Sequence, residues 1–416
     1  MKIIHLSTAD RSGGAPIAAY RLNEAMNATD GIESKMIVLK KTSSSDKVIN
    51  ILRGSSTIRK LFSRIYNLII PALQYKILDP TGVFSISNGI HHPSRSIDVK
   101  ESDIIYIHWC NGGYINLREI KRILRLGKPT YIFLHDMWLL TGGCHYSLDC
   151  KGFLADCRSC PFVGSHLAQL LVRRQQHLKR LLAKFDNLTL LSPSSWMDNQ
   201  IAKSRNFKNV RHTVTYNPLS LDVFRPIDKA VARKLLNLPT NKKLILFVAD
   251  GGTSNPYKGW RYLKEALKLL NQEQSIELVV IGNNLNDTES TEIGLKAHSF
   301  GRIHDELTLA IFYSAADLFV VSSLADNAPQ VVVEAQACGC PVAGFMTGGI
   351  PDMMVPAEKS NLVNPKDSQA LAQKIIEILK RTNSETDKIS RHNHIAAKFG
   401  EKSVVDTHIQ LWNRKE

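Results

Sequence analysis

Short apolar runs ending in polar or glycine-containing turns recur along this chain, separated by stretches whose apolar residues fall at helical spacing. Residues 1–8, MKIIHLST, read as a buried first strand, and residues 10–15 (DRSGGA) as the loop that follows. Pro16 suits a first helical turn, and IAAYRLNEAM after it carries its apolar residues on one face. Further strands are predicted at 34–41, 103–108, 129–135 and 188–192, with helices over 117–126 and 167–184. The pattern then restarts, with strands at 243–249, 276–282, 317–322 and 341–345. Helices are predicted at 259–271, 306–315, 331–338 and 368–380. Strand and helix alternating in this way predict an α/β chain of two doubly wound, Rossmann-like domains. Asn217-Pro218, with Pro226 soon after, breaks the periodicity and marks a linker. The expected division is 1–218, 219–400, and a C-terminal helix at 401–416 that packs back on the first domain. Ligands of such a pair are expected in a cleft between the halves, at the carboxyl ends of the strands.

Composition narrows the class. With 44% apolar and 22% charged residues over 416 positions, the chain reads as an ordinary globular protein. The N-terminus turns polar too soon for a signal peptide, and no apolar run approaches the roughly 20 residues that span a bilayer. A cytoplasmic address is expected. The net charge of +15 is one-sided: residues 1–218 hold 30 Lys and Arg against 15 Asp and Glu, and residues 219–416 hold 23 of each. An anionic partner for the first half follows, such as a phospholipid surface or a lipid diphosphate. Dispersed solubility charge is the plainer reading. Nucleic acid is not expected, since no basic–aromatic binding motif, zinc finger or basic zipper is present. Residues 57–78 combine Arg59, Lys60, Arg64 and Lys76 with many large apolar residues and are interrupted by Pro71. They fit an interfacial membrane helix or a core helix with a solvated basic face.

Candidate chemistry concentrates in residues 326–352, DNAPQVVVEAQACGCPVAGFMTGGIPD. Asp326 and Glu334, at the start of a small-residue helix, offer two carboxylates for sugar or ribose hydroxyls. The turn Thr347-Gly348-Gly349 offers backbone N–H groups to phosphate oxygens. Cys144, Cys150, Cys157 and Cys160 gather four of the seven cysteines beside His145. A closed structural zinc site, reduced thiols packed in a loop, and a disulfide or redox role all remain open for them. Cys338 and Cys340 read as small packing residues, and Cys110 has no evident partner.

Several ordered motifs give the chain a resemblance: SGGAPIAAYRL, FLHDMWLLTGGCHY, SPSSWM, YNPLSLDVFRP, GRIHDELTLAIFYSAADLFVVSS and TGGIPD. Over nearly its whole length it resembles a family 4 glycosyltransferase of the GT-B fold, in the bacterial exopolysaccharide and colanic-acid-type branch. The resemblance implies retaining transfer of a sugar from a UDP or GDP sugar to a hydroxyl. The implied acceptor is a polyprenyl-diphosphate-linked saccharide or another glycan, taken at an anionic inner-membrane surface. Gly13 and Gly14 match the loop approaching the donor diphosphate, and Lys258 the lysine that neutralises the leaving phosphate. His135 matches the histidine beside the donor sugar; His108, ending the neighbouring strand, reads as structural. Asp326 stands where the family most often has Glu, and Glu334 matches the ribose ligand. Arg302 and Ile303 match the base-binding segment, and Thr347, Gly348 and Gly349 the loop near the sugar and distal phosphate. The family's phosphate-clamp arginine is missing from VADGGTSNP. No cofactor or metal is implied for catalysis, because no matching DxD pair is present. The rival readings are a non-catalytic nucleotide-sugar or glycan-binding regulator and a GT-B epimerase.

Overall fold

The computed structural model describes residues 1–78, 80, 83–248, 255–270, 273, 275–282, 285 and 287–413. The chain forms two compact units, Met1–Asn217 and Pro218–Glu416. The first holds strands β1 (Lys2–Ala9), β2 (Glu33–Lys40), β3 (Val48–Asn50), β4 (Ile104–Ile107), β5 (Thr130–Phe133), β6 (Leu188–Ser192) and β7 (Arg211–Val214). They form one parallel sheet in the order β3-β2-β1-β4-β5-β6-β7. Its helices are α1 (Gly14–Asn27), α2 (Thr57–Leu78), α3 (Ile97–Glu101), α4 (Leu117–Leu124), α5 (His166–Leu182) and α6 (Ser195–Lys203).

The second unit repeats the plan. Strands β8 (Lys243–Val248), β9 (Ile276–Ile281), β10 (Ala297–Phe300), β11 (Leu318–Val321), β12 (Val342–Phe345) and β13 (Leu362–Val363) pair in parallel, in the order β10-β9-β8-β11-β12-β13. Helices α7 (Lys229–Leu235), α8 (Trp260–Lys268), α9 (Asp287–Ile293), α10 (Glu306–Ala315) and α11 (Gln330–Ala337) belong to it. So do α12 (Ile350–Met353), α13 (Ser368–Lys380), α14 (Glu385–Phe399) and α15 (Glu401–Asn413). The predicted ends at Ala249 and Asn271 lie outside the described residues.

Each sheet is buried where its apolar runs are longest. Ile104–Ile107, Thr130–Phe133 and Ile276–Ile281 are buried at every position, as covered parallel strands require. Helix starts follow local chemistry: Asn116, Ser165, Ser194 and Asp305 cap α4, α5, α6 and α10 by accepting an N–H of the first turn. In both sheets the strand order reverses beside the first strand, between β1 and β4 and between β8 and β11. That switch point is where open α/β sheets take ligands, beyond the strands' carboxyl ends.

Helix α2 departs from both expectations in one respect: it runs unbroken through Pro71. Apart from Leu78 at its end, its apolar side chains are not core. Ile58 is 81% exposed and Leu68 77%, and only Ser63 and Leu78 of the helix are buried. Among the described residues no helix is long and apolar enough to cross a membrane.

Buried histidines set the acid limit of the fold. Burial pushes His408 on α15 down to about 3 and His91 and His135 to about 4, against 6.5 when exposed. Between those values the unfolded chain binds more protons than the folded one. Stability therefore falls as pH drops from 6.5 toward 4, by up to about 1.4 kcal/mol per pH unit for each histidine. In urea melts at pH 7 and pH 5, His408→Leu should lose about 1–2 kcal/mol less than the wild type does on acidification. An equal loss would remove His408 as a cause.

Candidate functional site

In the second unit the decisive geometry lies beyond β8, β11 and β12. Asn255 opens a short turn by accepting the Tyr257 N–H through Oδ1 at 3.0 Å, and this turn carries Lys258. Gly259 closes it at φ +64, where an added Cβ would come within 1.9 Å of the Ser322 carbonyl oxygen. Ser322, just past β11, donates from Oγ to the Lys258 carbonyl at 2.9 Å, and the Leu324 N–H donates to the Tyr257 carbonyl at 2.7 Å. So pinned, Lys258 Nζ reaches Asp326 Oδ2 at 2.6 Å. Neither side chain is sealed: Lys258 is 26% exposed and Asp326 11%. The Gly-rich turn after β12 leans on the same residue, with the Gly349 N–H donating to the Asp326 carbonyl at 3.0 Å. Gly348, at φ +55, sits so close that a Cβ would meet that oxygen at 1.9 Å. Thr347 Oγ1 donates to the Leu324 carbonyl at 3.2 Å. Lys258, Asp326, Thr347, Gly348 and Gly349 are thus one assembly at the switch point of the second sheet.

Glu334 lies in the second turn of α11, later than the helix start expected for it. It is buried, and accepts the Tyr313 hydroxyl from α10 at 3.1 Å. Arg302 and Ile303 follow β10; Arg302 is exposed, and the Gly282 N–H beyond β9 donates to the Gly301 carbonyl at 3.3 Å. Of the stretch VADGGTSNP in which the clamp arginine is missing, residues 249–254 lie outside the described residues.

In the first unit Gly13 caps α1 at φ 95 and ψ 164, a conformation essentially confined to glycine. Gly14 has ordinary backbone geometry and nothing within 4 Å of an added Cβ. Past β4 and β5, His108 Nδ1 lies 3.0 Å from His135 Nε2, and His108 Nε2 lies 2.9 Å from His5 Nδ1 on β1. The three rings form a hydrogen-bonded chain, so the tautomer of one fixes the next. Burial keeps His135 neutral near pH 7, against the opposing pull of Asp136. Asp136 itself, which burial would raise, is held low by His145, whose Nδ1 lies 2.8 Å from its Oδ2. His108 thus bridges His135 and His5, and a histidine inside the apolar run MKIIHL is the signal that places His5 with it.

Cys144, Cys150, Cys157 and Cys160 line one small cavity, and all are free thiols. Among the described residues no group of three or more His, Cys, Asp or Glu is arranged to hold a metal ion. Burial pushes Cys144 up to about 12 and raises Cys157 and Cys160, so these thiols stay protonated at neutral pH. Gln176 Nε2 donates to Cys157 Sγ at 3.4 Å, and Gly152 N–H to Cys150 Sγ at 3.4 Å. The loop is closed by Lys179, fully buried on α5, which lies 4.0 Å from the Trp138 ring centre and donates to the Thr141 carbonyl at 2.8 Å. Burial lowers Lys179 to about 7. Nothing in the sequence pattern of α5 distinguishes it from the other basic residues there.

Residues 228–394, which contain the Lys258–Asp326 assembly, match the family model described as Glycosyl transferases group 1. The second unit contains a group 1 glycosyltransferase domain. The chain is similar to D-inositol 3-phosphate glycosyltransferase of Mycolicibacterium smegmatis, 30% identical over 222 residues, covering 52% of this chain and 50% of that protein. A second such protein, from Catenulispora acidiphila, is 29% identical over 216 residues, 48% of this chain and 50% of its own. The chain thus spans about half the length of the curated relatives it matches. Solved structures share the fold throughout. Sucrose-phosphate synthase from Thermosynechococcus elongatus superposes with TM-score 0.66 at 18% identity, over 99% of this chain and 98% of that one. Anabaena Alr3699/HepE in complex with UDP-glucose gives 0.63 at 15% identity, over 100% of both. The architecture is the GT-B type, and in the glycosyltransferase domain the loops beyond the strand ends carry the polar groups.

The two N-terminal glycines should separate in stability. Gly13→Ala should cost about 1–3 kcal/mol in a denaturant melt, because a Cβ is strained at that backbone conformation. Gly14→Ala should show no such loss. Equal melting of both would mean that the backbone at Gly13 is not held as described.

Proposed function

We propose that the protein is a retaining glycosyltransferase of the family 4 exopolysaccharide branch. It moves a sugar from a nucleotide diphosphate sugar to a hydroxyl of a lipid-linked or polysaccharide acceptor in cell-surface polysaccharide synthesis, on the cytoplasmic face of the membrane. The observation that carries this reading is the ion pair of Lys258 and Asp326 at the switch point, with the Gly348-Gly349 backbone packed against it. The complex of the Anabaena neighbour with UDP-glucose favours a UDP sugar as donor.

In this reading Lys258 opposes the negative charge that builds up on the leaving diphosphate: its ammonium neutralises the departing oxygen. Asp326, 2.6 Å away, orients that ammonium and takes sugar hydroxyls. A carboxylate is acceptor-only, which suits a vicinal diol, and Glu334 takes the ribose in the same manner. Arg302 and Ile303 hold the base largely through main chain, while Thr347, Gly348 and Gly349 face the sugar and distal phosphate. Gly13 and Gly14 bring bare backbone to the diphosphate, and at Gly14 there is open space for that approach. Neutral His135 suits a hydrogen bond to a sugar hydroxyl better than a cation would. The acceptor hydroxyl passes its proton to the departing phosphate oxygen on the same face. The new bond to the anomeric carbon forms there as the bond to phosphate breaks, so no protein nucleophile or metal is required.

Lys258→Ala should lower kcat for nucleoside diphosphate release by about 100-fold or more, with a circular dichroism melt confirming the fold. Unchanged turnover would take Lys258 out of the site. Wild-type protein that binds a UDP or GDP sugar but never releases the diphosphate would favour the non-catalytic binding protein instead.

A further inference from the structure

Helix α2 is built inside out. Its protein-facing side is polar: Ser63 Oγ lies 3.2 Å from His91 Nε2, Tyr66 donates its hydroxyl to the Asn88 carbonyl at 2.8 Å, and Gln74 Oε1 accepts from Asn88 at 3.1 Å. Its outward side is apolar, with Ile58, Leu61, Phe62, Ile65, Leu68 and Leu73 each at least 47% exposed. With Ile69, 52% exposed, positions 58, 62, 65, 69 and 73 recur every three or four residues, so these side chains form one stripe along the helix. The helix contains no acid, and Arg59, Lys60, Arg64 and Lys76 flank the stripe. A stripe of this size in water is unfavourable and needs an apolar occupant.

Directly beside it, between α2 and the carboxyl end of β2, opens a groove of about 1000 Å³. Lys40, Lys41, Arg53, Lys60 and Arg64 line it, against a single acid, Asp46. Among the described residues Lys40, Arg53, Lys60 and Arg64 make no ion pair, so their charge is available to a ligand. The wall is built, not loose. Buried Asp10 accepts the Thr42 N–H at 3.0 Å and the Ser43 N–H at 2.8 Å, and Lys41 Nζ donates to the Ser45 carbonyl at 2.7 Å. Burial would raise the Asp10 carboxyl, but these bonds outweigh it and hold it charged. Val48, Leu52 and Leu68 make the groove's apolar side, and Leu68 is one of the exposed apolar residues of α2 as well.

We propose that this groove binds the phosphate or diphosphate end of a polyprenyl-type membrane lipid. The anion sits among the five cations, and the hydrocarbon leaves along the outward face of α2 into the bilayer. Cations in a concave wall give charge-assisted hydrogen bonds to phosphate oxygens, and a basic amphipathic helix lies in the interface with its apolar face in the acyl region. The proposal deepens the lipid-linked acceptor reading and rests on it, since it names where that acceptor's head group would be held.

Flotation of the full chain tests it, with phosphatidylcholine vesicles carrying either a polyprenyl diphosphate or phosphatidylglycerol at matched surface charge. Binding to the diphosphate vesicles should be about tenfold tighter. The double variant Lys60→Gln, Arg64→Gln should lose that preference, and Arg53→Gln, which lies outside α2, should lose part of it should the double variant fail to fold. Leu61→Ser with Leu68→Ser should weaken binding to both vesicles. Equal binding of the wild type to both lipids, or a preference unchanged in Arg53→Gln and the double variant, overturns the site. Nucleoside diphosphate release is read separately. A wild type that turns over but shows no lipid preference therefore sinks the groove alone, and a wild type that shows the preference without turnover sinks the transferase reading alone.

Discussion

A parallel sheet covered on both faces has one place for chemistry. Its strands are buried along their length, and its backbone groups are consumed by neighbouring strands, so polar side chains and free N–H groups collect only past the strand ends. The residues assigned to the donor obey that constraint except Glu334, which lies inside α11: in the first unit Gly13 and Gly14 follow β1 and His135 follows β5. The second unit repeats it, with Lys258 after β8, Arg302 and Ile303 after β10, Asp326 after β11 and Thr347 after β12. Because all pairings are parallel, these loops emerge on one edge of each sheet.

Within that edge, close backbone approach does the fine positioning. Gly259 against Ser322 and Gly348 against Asp326 each leave 1.9 Å for a Cβ that is not there. A side chain at either glycine would push the Lys258 turn or the Gly-rich turn away from Asp326, and the ion pair at 2.6 Å would open. In the first unit the same task falls to rings. His5, His108 and His135 stack with Tyr106 and Phe133 across three adjacent strands, which fixes both their planes and their order of hydrogen bonding. Burial keeps His135 uncharged at neutral pH, so the chain holds its geometry without a counter-ion.

The one-sided charge of the chain also acquires a place. Of the 30 Lys and Arg in residues 1–218, five share one groove beside the exposed face of α2. Glu119 shows the opposite treatment. Its buried carboxylate, which burial would raise, is held low by the Ser94 N–H, His92 and Arg122, and is spent entirely on structure.

Legibility followed burial. Central strands such as Ile104–Ile107 and Ile276–Ile281 are continuous apolar runs because both their faces are covered, and periodicity alone finds them. β3, β7, β10 and β13 carry no such run. They are two to four residues long and partly exposed, and all four are sheet edges, where a neighbour's backbone and not side-chain hydrophobicity creates the strand. Residues 57–78 were readable as an amphipathic helix, but which face meets the protein was not, because Ser63 and Tyr66 turn inward only through partners at His91 and Asn88. By itself the sequence determined the alternation of elements, the two-domain α/β class and the residue types available for phosphate and hydroxyl recognition, since these are local and periodic properties. Only the tertiary structure decided that Lys258 meets Asp326, 68 positions away, that four clustered cysteines line one cavity, and that three distant histidines join hands. Those outcomes depend on distances between segments far apart in the chain, which no local pattern encodes.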